Sequence, residues 1–194
     1  MDVQHNMNPT GRGFRVPLPI SKKYFYPLDP RPEDFDIRDV AHKLATQCRY
    51  GGGTVEFYSV AEHCVLLSYA VPEEHALAAL LHDRAEAYWQ DIIRPVKEGY
   101  CQPWYGKVER NIECVSAPVF GVPYPNPDVV MLADYRICID EKQQAYTCPF
   151  ESENKIEDLA QPLGVKLHFW DWRQSRKAFL DRYNQLSGGQ VISW

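Results

Sequence analysis

The stretch Ala76-Leu-Ala-Ala-Leu-Leu-His-Asp-Arg-Ala-Glu86 is the most informative part of this sequence. Its apolar residues recur at helical spacing, which predicts a buried helix. An adjacent histidine and aspartate inside such a helix are unfavourable unless both polar groups find partners. One divalent metal ion would satisfy His82 and Asp83 together. Glu86 follows one turn later, so all three side chains share one face of the predicted helix.

Two residues on other predicted helices complete a candidate ligand set. His63 ends the segment Ser59-Val-Ala-Glu-His63, and Asp134 interrupts the apolar run Val129-Val-Met-Leu-Ala-Asp134. Two imidazoles and two carboxylates form a mixed nitrogen and oxygen set that suits Mn²⁺, Fe²⁺, Co²⁺, Ni²⁺ or Zn²⁺. Taken singly, a buried histidine is more often a hydrogen-bonded core residue, and Asp134 could pair with Arg136. The combination predicts a metal centre.

Other kinds of metal site fit the sequence less well. A two-metal site needs additional histidines, and after His82 only His168 remains. A closed structural site would favour cysteine ligands, and none of the 6 cysteines has such spacing. The sequence therefore favours a single ion held by the protein, with positions left open for water and substrate.

The remaining pattern predicts an all-α domain behind a short N-terminal β-hairpin or extended arm. Residues 1–35 are rich in proline and aromatic residues with local alternation, which is typical of a hairpin or an arm. Residues 36–187 carry helical periodicity, and we expect a single domain overall. Capping and breaking residues predict helices from Asp36 to Cys48, Ser59 to Ala70, Pro72 to Trp89, Lys107 to Val119, Asp128 towards Tyr146, and Asp171 to Ser187.

Composition restricts the class of protein. The 194 residues are 45% hydrophobic and carry 21 basic against 26 acidic residues, a net charge of −5. This balance argues against proteins that coat nucleic acid or anionic membranes. No apolar run approaches the ~18 residues of a membrane span, and the first residues lack a secretory pattern. The scattered cysteines indicate reduced thiols, so we expect a cytoplasmic protein.

The order His63…His82-Asp83…Asp134 resembles the H…HD…D signature of HD-domain metal-dependent phosphohydrolases. The chain strongly resembles the bacterial 5′-deoxynucleotidase branch and its phage relatives, which include phage dATP triphosphohydrolases. This resemblance implies that the expected cytoplasm is that of a bacterium or a phage-infected host. This resemblance implies an HD-domain helical bundle. Further similar segments are Tyr26-Pro-Leu-Asp-Pro-Arg-Pro32, Cys48-Arg-Tyr-Gly51, Ser59-Val-Ala-Glu-His63, Leu80-Leu-His-Asp-Arg-Ala-Glu86 and Asp91-Ile-Ile-Arg-Pro-Val-Lys97.

The resemblance also implies roles for individual residues. It implies that His63, His82, Asp83 and Asp134 bind one divalent metal ion, which would be Zn, Co, Mn, Ni or Fe. Glu86 matches the catalytic carboxylate and Asp91 a further active-site carboxylate. Arg49 would bind phosphate or sugar oxygens, and Tyr50 would lie against the deoxyribose. The deoxynucleotidase branch has tryptophan where this chain has Tyr50. This departure affects how the site would distinguish deoxyribose from ribose, and it does not affect the expected binding of phosphate. We expect three basic side chains to neutralise phosphate charge, those of Arg49, Arg94 and Lys97. Mg²⁺ bound to the substrate phosphates is an additional candidate cofactor.

The resulting functional prediction is a phosphohydrolase whose partner is a small 2′-deoxynucleotide, in a protein expected to be a homo-oligomer. A dATP-type triphosphohydrolase is the first interpretation, and a 5′-deoxynucleotidase acting on dNMPs is the alternative. A non-catalytic nucleotide-binding HD module is an alternative of another class.

Overall fold

The protein is mainly α-helical, with one short β-hairpin at the N-terminal side. The computed structural model describes residues 10–93, 96–97, 99, 103–147 and 161–188. Strands β1 (Val16–Pro17) and β2 (Tyr24–Phe25) pair antiparallel, with Val16 opposite Phe25. The helices within the described residues are α1 (Ile37–Thr46), α2 (Val60–Ala70), α3 (Ala76–Leu80), α4 (Glu86–Trp89), α5 (Trp104–Phe120), α6 (Asp128–Ala145) and α7 (Trp172–Ser187). The predicted all-α class and the hairpin are thus confirmed.

Side-chain caps start three of these helices where the sequence predicted them. The Asp36 carboxylate accepts from the amide of Arg38 before α1. The Ser59 hydroxyl accepts from the amide of Glu62 at 3.1 Å before α2. Asp171 forms a reciprocal capping box before α7. Such caps satisfy amides that have no partner within the helix, so local sequence was sufficient to place these starts.

The continuous third helix predicted from Pro72 to Trp89 is wrong. The chain forms a 3₁₀ turn at Glu73–His75, then α3, a tight turn over residues 81–85, and α4. Within this turn the Arg84 amide donates to the Leu81 carbonyl at 3.1 Å. The buried Arg84 guanidinium also donates to that carbonyl at 3.0 Å. Both bonds use a carbonyl oxygen that a regular helix would offer to the residue four positions later.

Helix α2 lies at the centre of the molecule and connects two apolar clusters. Nine of its eleven residues are buried, including Glu62 and His63. It packs against α1, α3 and α7, while α1 also packs directly on α7. A helix that is buried on all sides must supply partners for its polar side chains. No helix within the described ranges has the length and apolarity needed to cross a bilayer.

Buried carboxylates hold the described segment 161–171 against the helices. Glu62 accepts from three consecutive backbone amides, those of His168, Phe169 and Trp170, at 2.7–2.9 Å. Asp140 on α6 accepts from two further amides of this segment at 2.7 and 2.9 Å. These bonds anchor an irregular segment to α2 and α6, the two helices that also carry His63 and Asp134.

Candidate metal centre

Four predicted ligand residues meet between α2, the 81–85 turn and α6. The Nε2 atom of His63 lies 3.1 Å from Asp134 Oδ1 and 3.2 Å from the Nε2 atom of His82. The Nε2 atom of His82 lies 3.1 Å from Asp83 Oδ1 and 3.6 Å from Asp134 Oδ1. His63 and His82 are buried, and 15% of the Asp83 side chain is exposed.

These separations suit ligands of one ion. Donor atoms about 2.1 Å from a metal lie about 3.0–3.4 Å apart for octahedral or tetrahedral angles. His63, His82 and Asp83 each offer a ligand atom within 4.8 Å of the other two, so this group could hold a metal ion. Asp134 on α6 lies close to both imidazoles and is a fourth candidate ligand.

Both imidazole rings are oriented with one nitrogen towards the centre and the other towards a hydrogen-bond acceptor. Nδ1 of His82 lies 2.8 Å from the Ala79 carbonyl oxygen. Nδ1 of His63 lies 2.5 Å from Oε1 of Glu141. A carbonyl or carboxylate oxygen can only accept, so each Nδ1 carries the proton and donates it. The lone pair of each neutral ring is then on Nε2, which is the arrangement that metal-binding histidines adopt.

Glu141 is a residue of the candidate site that the sequence analysis missed. It is fully buried and accepts from the hydroxyls of Tyr50 and Tyr58 at 2.5 and 2.7 Å, and from Arg49 at 3.0 Å. Burial opposes its ionisation, but Arg49 and His63 outweigh that effect and lower the pKa of Glu141 to about 2. Its position seven residues after Asp134 places both on one face of α6, and that spacing was the available signal.

The charges of the four candidate ligand residues depend on one another. Burial disfavours ionised Asp134, but the adjacent imidazoles of His63 and His82, when they carry a second proton on Nε2, hold its pKa well below the ordinary value. Burial likewise disfavours charged His82, yet the neighbouring Asp83 carboxylate raises the pKa of His82 well above its usual range. The carboxylates therefore attract positive charge to the imidazole nitrogens, which a proton or a divalent cation can supply.

Two further predicted carboxylates lie beside the ligands. Burial, followed by the negative charges of Asp83 and Asp91, raises the pKa of Glu86 well above its ordinary value. Oε2 of Glu86 is buried and has no hydrogen-bond partner among the described residues. Burial also raises the pKa of Asp91. The Gln47 side chain connects the two residues, because it donates to the Glu86 carbonyl at 3.1 Å and accepts from the Asp91 amide at 3.0 Å.

Arg49 and Tyr50 lie beside the centre, in a turn with unusual backbone geometry. The φ angles of Tyr50, Gly51 and Gly52 are 56°, 61° and 80°. Nη1 of Arg49 lies 3.7 Å from Asp83, whereas its Nε is buried without a partner among the described residues. The predicted contact of Tyr50 with deoxyribose stays a prediction. Its ring packs edge-on to Tyr146 at 5.5 Å between centroids.

A cleft opens next to these residues. It has a volume of 370 Å³ and is lined by Lys43, Gln47, Gly51 and Asp91, among others. Cavities that bind small molecules are typically about 300–1,000 Å³. Among the predicted phosphate-binding residues, Lys97 lies 2.6 Å from a carboxylate oxygen of Glu109. Arg94 lies outside the described residues.

Fold and site together define a mainly α-helical protein with a candidate metal centre and an adjacent cleft. No protein-family model matches the chain. It is 41% identical over 123 residues to the uncharacterized protein YfdR of Escherichia coli K12, across 60% of this chain and 68% of YfdR. It is 44% identical over 79 residues to the uncharacterized protein RCAP_rcc00048 of Rhodobacter capsulatus, across 36% of this chain and 40% of that protein. The chain therefore belongs to the same family as YfdR.

Proposed function

We propose that this protein is a metal-dependent phosphohydrolase of 2′-deoxynucleotides with an HD-domain fold. The observation that carries the proposal is the convergence of two imidazole Nε2 atoms and two aspartates, with 3.1 Å between His63 and Asp134 and between His82 and Asp83. The H…HD…D order of these residues supports the HD assignment. A catalytic carboxylate next to such a centre is the second requirement of a hydrolytic site, and Glu86, whose Oε2 has no hydrogen-bond partner among the described residues, is the candidate.

His63, His82, Asp83 and Asp134 would hold the divalent cation, which when bound lowers the pKa of a water molecule and polarises a phosphoryl oxygen. Glu86 takes one proton from the attacking water, whose oxygen forms the new bond to phosphorus. The bond between phosphorus and the 5′ oxygen breaks. Glu86 then returns its proton to the 5′ oxygen, which leaves as the 5′-hydroxyl of a deoxynucleoside.

The same bond breaks in a dNMP and in a dNTP, so residues outside the centre select the substrate. Lys43, in the wall of the cleft, makes no ion pair within the part of the chain that the structure describes. A cation in that position favours a dATP-type triphosphohydrolase, because additional phosphates need additional positive charge. Arg49 and Lys97 are already paired with Glu141 and Glu109, and this pairing favours the alternative, a 5′-deoxynucleotidase that binds one phosphate.

A substrate panel tests the proposal. The purified protein is incubated with dATP, ATP, dAMP and AMP in the presence of Mn²⁺, Co²⁺, Zn²⁺ or Mg²⁺, or of a chelator. We expect deoxyadenosine and inorganic triphosphate from dATP, and loss of this activity with the chelator. Release of phosphate from dAMP alone would favour the deoxynucleotidase. Nucleotide binding without hydrolysis under every condition would favour a non-catalytic module.

Two variants distinguish turnover by this protein from turnover by a contaminating phosphatase. His82→Ala and Asp83→Ala each remove one proposed ligand, so we expect both proteins to lose bound metal and turnover together. Elemental analysis of the purified variants measures the first effect and the substrate panel the second. Full metal content in both variants would refute the ligand assignment. The same preparations, analysed by light scattering, test the expected homo-oligomer.

A further inference from the structure

The two carboxylate oxygens of the buried Glu141 bind different parts of the site. Oε1 accepts from Nδ1 of His63 at 2.5 Å and from the hydroxyl of Tyr58 at 2.7 Å. Oε2 accepts from Nη2 of Arg49 at 3.0 Å and from the hydroxyl of Tyr50 at 2.5 Å. One oxygen therefore contacts the metal side, and the other contacts the turn beside the substrate cleft.

We propose that Glu141 is a positioning residue that fixes the metal-binding tautomer of His63 and, independently, the orientation of Arg49 and Tyr50. The inference rests on the proposed function in two respects, namely that a metal ion binds at His63 and that a phosphate binds at Arg49.

The argument for Oε1 concerns the proton of the imidazole ring. A neutral histidine carries one N–H, and an ionised carboxylate can only accept a hydrogen bond. Glu141 therefore keeps the proton of His63 on Nδ1 and the lone pair on Nε2, 3.1 Å from Asp134. The Tyr58 hydroxyl occupies the same oxygen and restricts where the carboxylate can move. Acceptors behind a ligating histidine typically change metal affinity about 10–100-fold.

The argument for Oε2 concerns the left-handed backbone of the Arg49–Gly52 turn. Tyr50 has a φ of 56°, a conformation that is unfavourable for a tyrosine and needs support from neighbouring groups. The bond from its hydroxyl to Glu141 supplies that support. The same oxygen holds one guanidinium nitrogen of Arg49, which leaves Nη1 facing Asp83 at 3.7 Å and a buried Nε without a partner among the described residues. On this proposal, these two nitrogens are the donors that bind a phosphate oxygen at the centre.

Glu141→Gln tests both arguments, because an amide has only one accepting oxygen. If its NH₂ group faces His63, the ring must accept on Nδ1 and place its proton on Nε2, where metal binding requires a lone pair. If the NH₂ group faces Arg49, two donors oppose each other and the turn loses its support. We expect Mn²⁺ and Co²⁺ affinity, measured by calorimetry, to decrease about 10–100-fold, or inorganic phosphate binding to the metal-loaded protein to weaken similarly.

Single hydroxyl deletions separate the two oxygens and keep the test decisive if Glu141→Gln does not fold. Tyr58→Phe should weaken metal binding, by less than Glu141→Gln. Tyr50→Phe should weaken inorganic phosphate binding and leave metal affinity unchanged. Unchanged metal affinity in Tyr58→Phe together with unchanged phosphate binding in Tyr50→Phe would overturn the inference.

Asp140→Asn is the matched control for a general loss of stability. Asp140 is the neighbouring buried carboxylate on α6, but it accepts from the backbone amides of Leu163 and Gly164. We expect this variant to unfold at a lower temperature with unchanged metal affinity. Metal binding that weakens equally in both variants would overturn the inference. Wild-type protein that binds no metal would overturn the proposed function as well, whereas normal metal and phosphate binding by Glu141→Gln would overturn the Glu141 inference alone.

Discussion

Glu86 has a structural property that is unfavourable for folding and useful for proton transfer. Its buried Oε2 has no hydrogen-bond partner among the described residues, and burial near Asp83 and Asp91 raises its pKa well above the ordinary value. A carboxylate with a higher pKa in the folded state binds more protons when folded. Its contribution to stability is therefore present at low pH and lost as the pH rises through that raised pKa.

We accordingly expect Glu86→Gln to unfold, without added metal at pH 7, at a temperature no lower than that of the wild-type protein. Its kcat should fall about 10²–10⁴-fold, because the general base is missing. Thermal unfolding and steady-state kinetics on one preparation measure both effects. Glu74→Gln, which alters an exposed glutamate in the 3₁₀ turn before α3, should change neither. An unimpaired kcat would remove Glu86 from the mechanism.

Arg49 and Tyr50 should affect selectivity in different ways. Arg49→Ala should lower kcat/KM for dATP, ATP, dAMP and AMP together, because the phosphate is common to all four. Tyr50→Ala should narrow the preference for deoxy over ribo substrates, since the ring is expected to lie where a 2′-hydroxyl would crowd it. Tyr50→Phe keeps the ring and should keep the ratio of kcat/KM for deoxy and ribo substrates. If Tyr50→Ala unfolds at a lower temperature but keeps the same ratio of kcat/KM for deoxy and ribo substrates, then other residues determine the selectivity.

At the scale of elements, the turn between α1 and α2 depends on left-handed backbone conformations. Gly52 has a φ of 80°, and a Cβ there would meet Cys48 Cβ at 3.9 Å, an ordinary contact. The penalty for alanine therefore comes from the backbone angle, about 1–2 kcal/mol. We expect Gly52→Ala to lose about that much stability in urea unfolding. It should also raise KM, because the turn positions Arg49.

Gly121 provides the matched control for this prediction. It ends α5 with a φ of 67°, and a Cβ there would meet no atom within 4 Å. Gly121→Ala should lose a similar amount of stability with an unchanged KM. Equal changes in KM for the two variants would show that stability, and not the shape of the turn, limits substrate binding.

At the scale of the whole molecule, the proposed metal joins α2, the 81–85 turn and α6. An ion that binds only the folded chain stabilises it by about 2.7 kcal/mol at a concentration 100 times its Kd. For a protein of this size, that corresponds to an increase of about 5–10 °C in Tm. Scanning calorimetry with Mn²⁺ and with a chelator measures the shift. His82→Ala should show none, and a wild-type Tm that is independent of metal would contradict a metal that joins these segments.

Much of the helical framework was predictable because its signals are local. Asp36, Ser59 and Asp171 each cap the helix that directly follows, and the amides they bind are two or three residues away. The candidate ligands were predictable for a related reason. His82, Asp83 and Asp134 stand out as polar residues within apolar helical runs, which identifies them without knowledge of their partners.

The sequence by itself determined the helical class, the helix starts and the types of residue available for a metal centre, because periodicity and capping act within a few residues. Only the tertiary structure decided which atoms meet. The helix breaks at residues 81–85, where the Arg84 guanidinium donates a hydrogen bond to the Leu81 carbonyl. The same guanidinium also donates to the Ser116 hydroxyl and the Glu113 carbonyl on α5. Glu141 contacts His63 across 78 positions of sequence. The direction of a buried hydrogen bond depends on the partner that packing brings to it, and spacing along the chain does not contain that information.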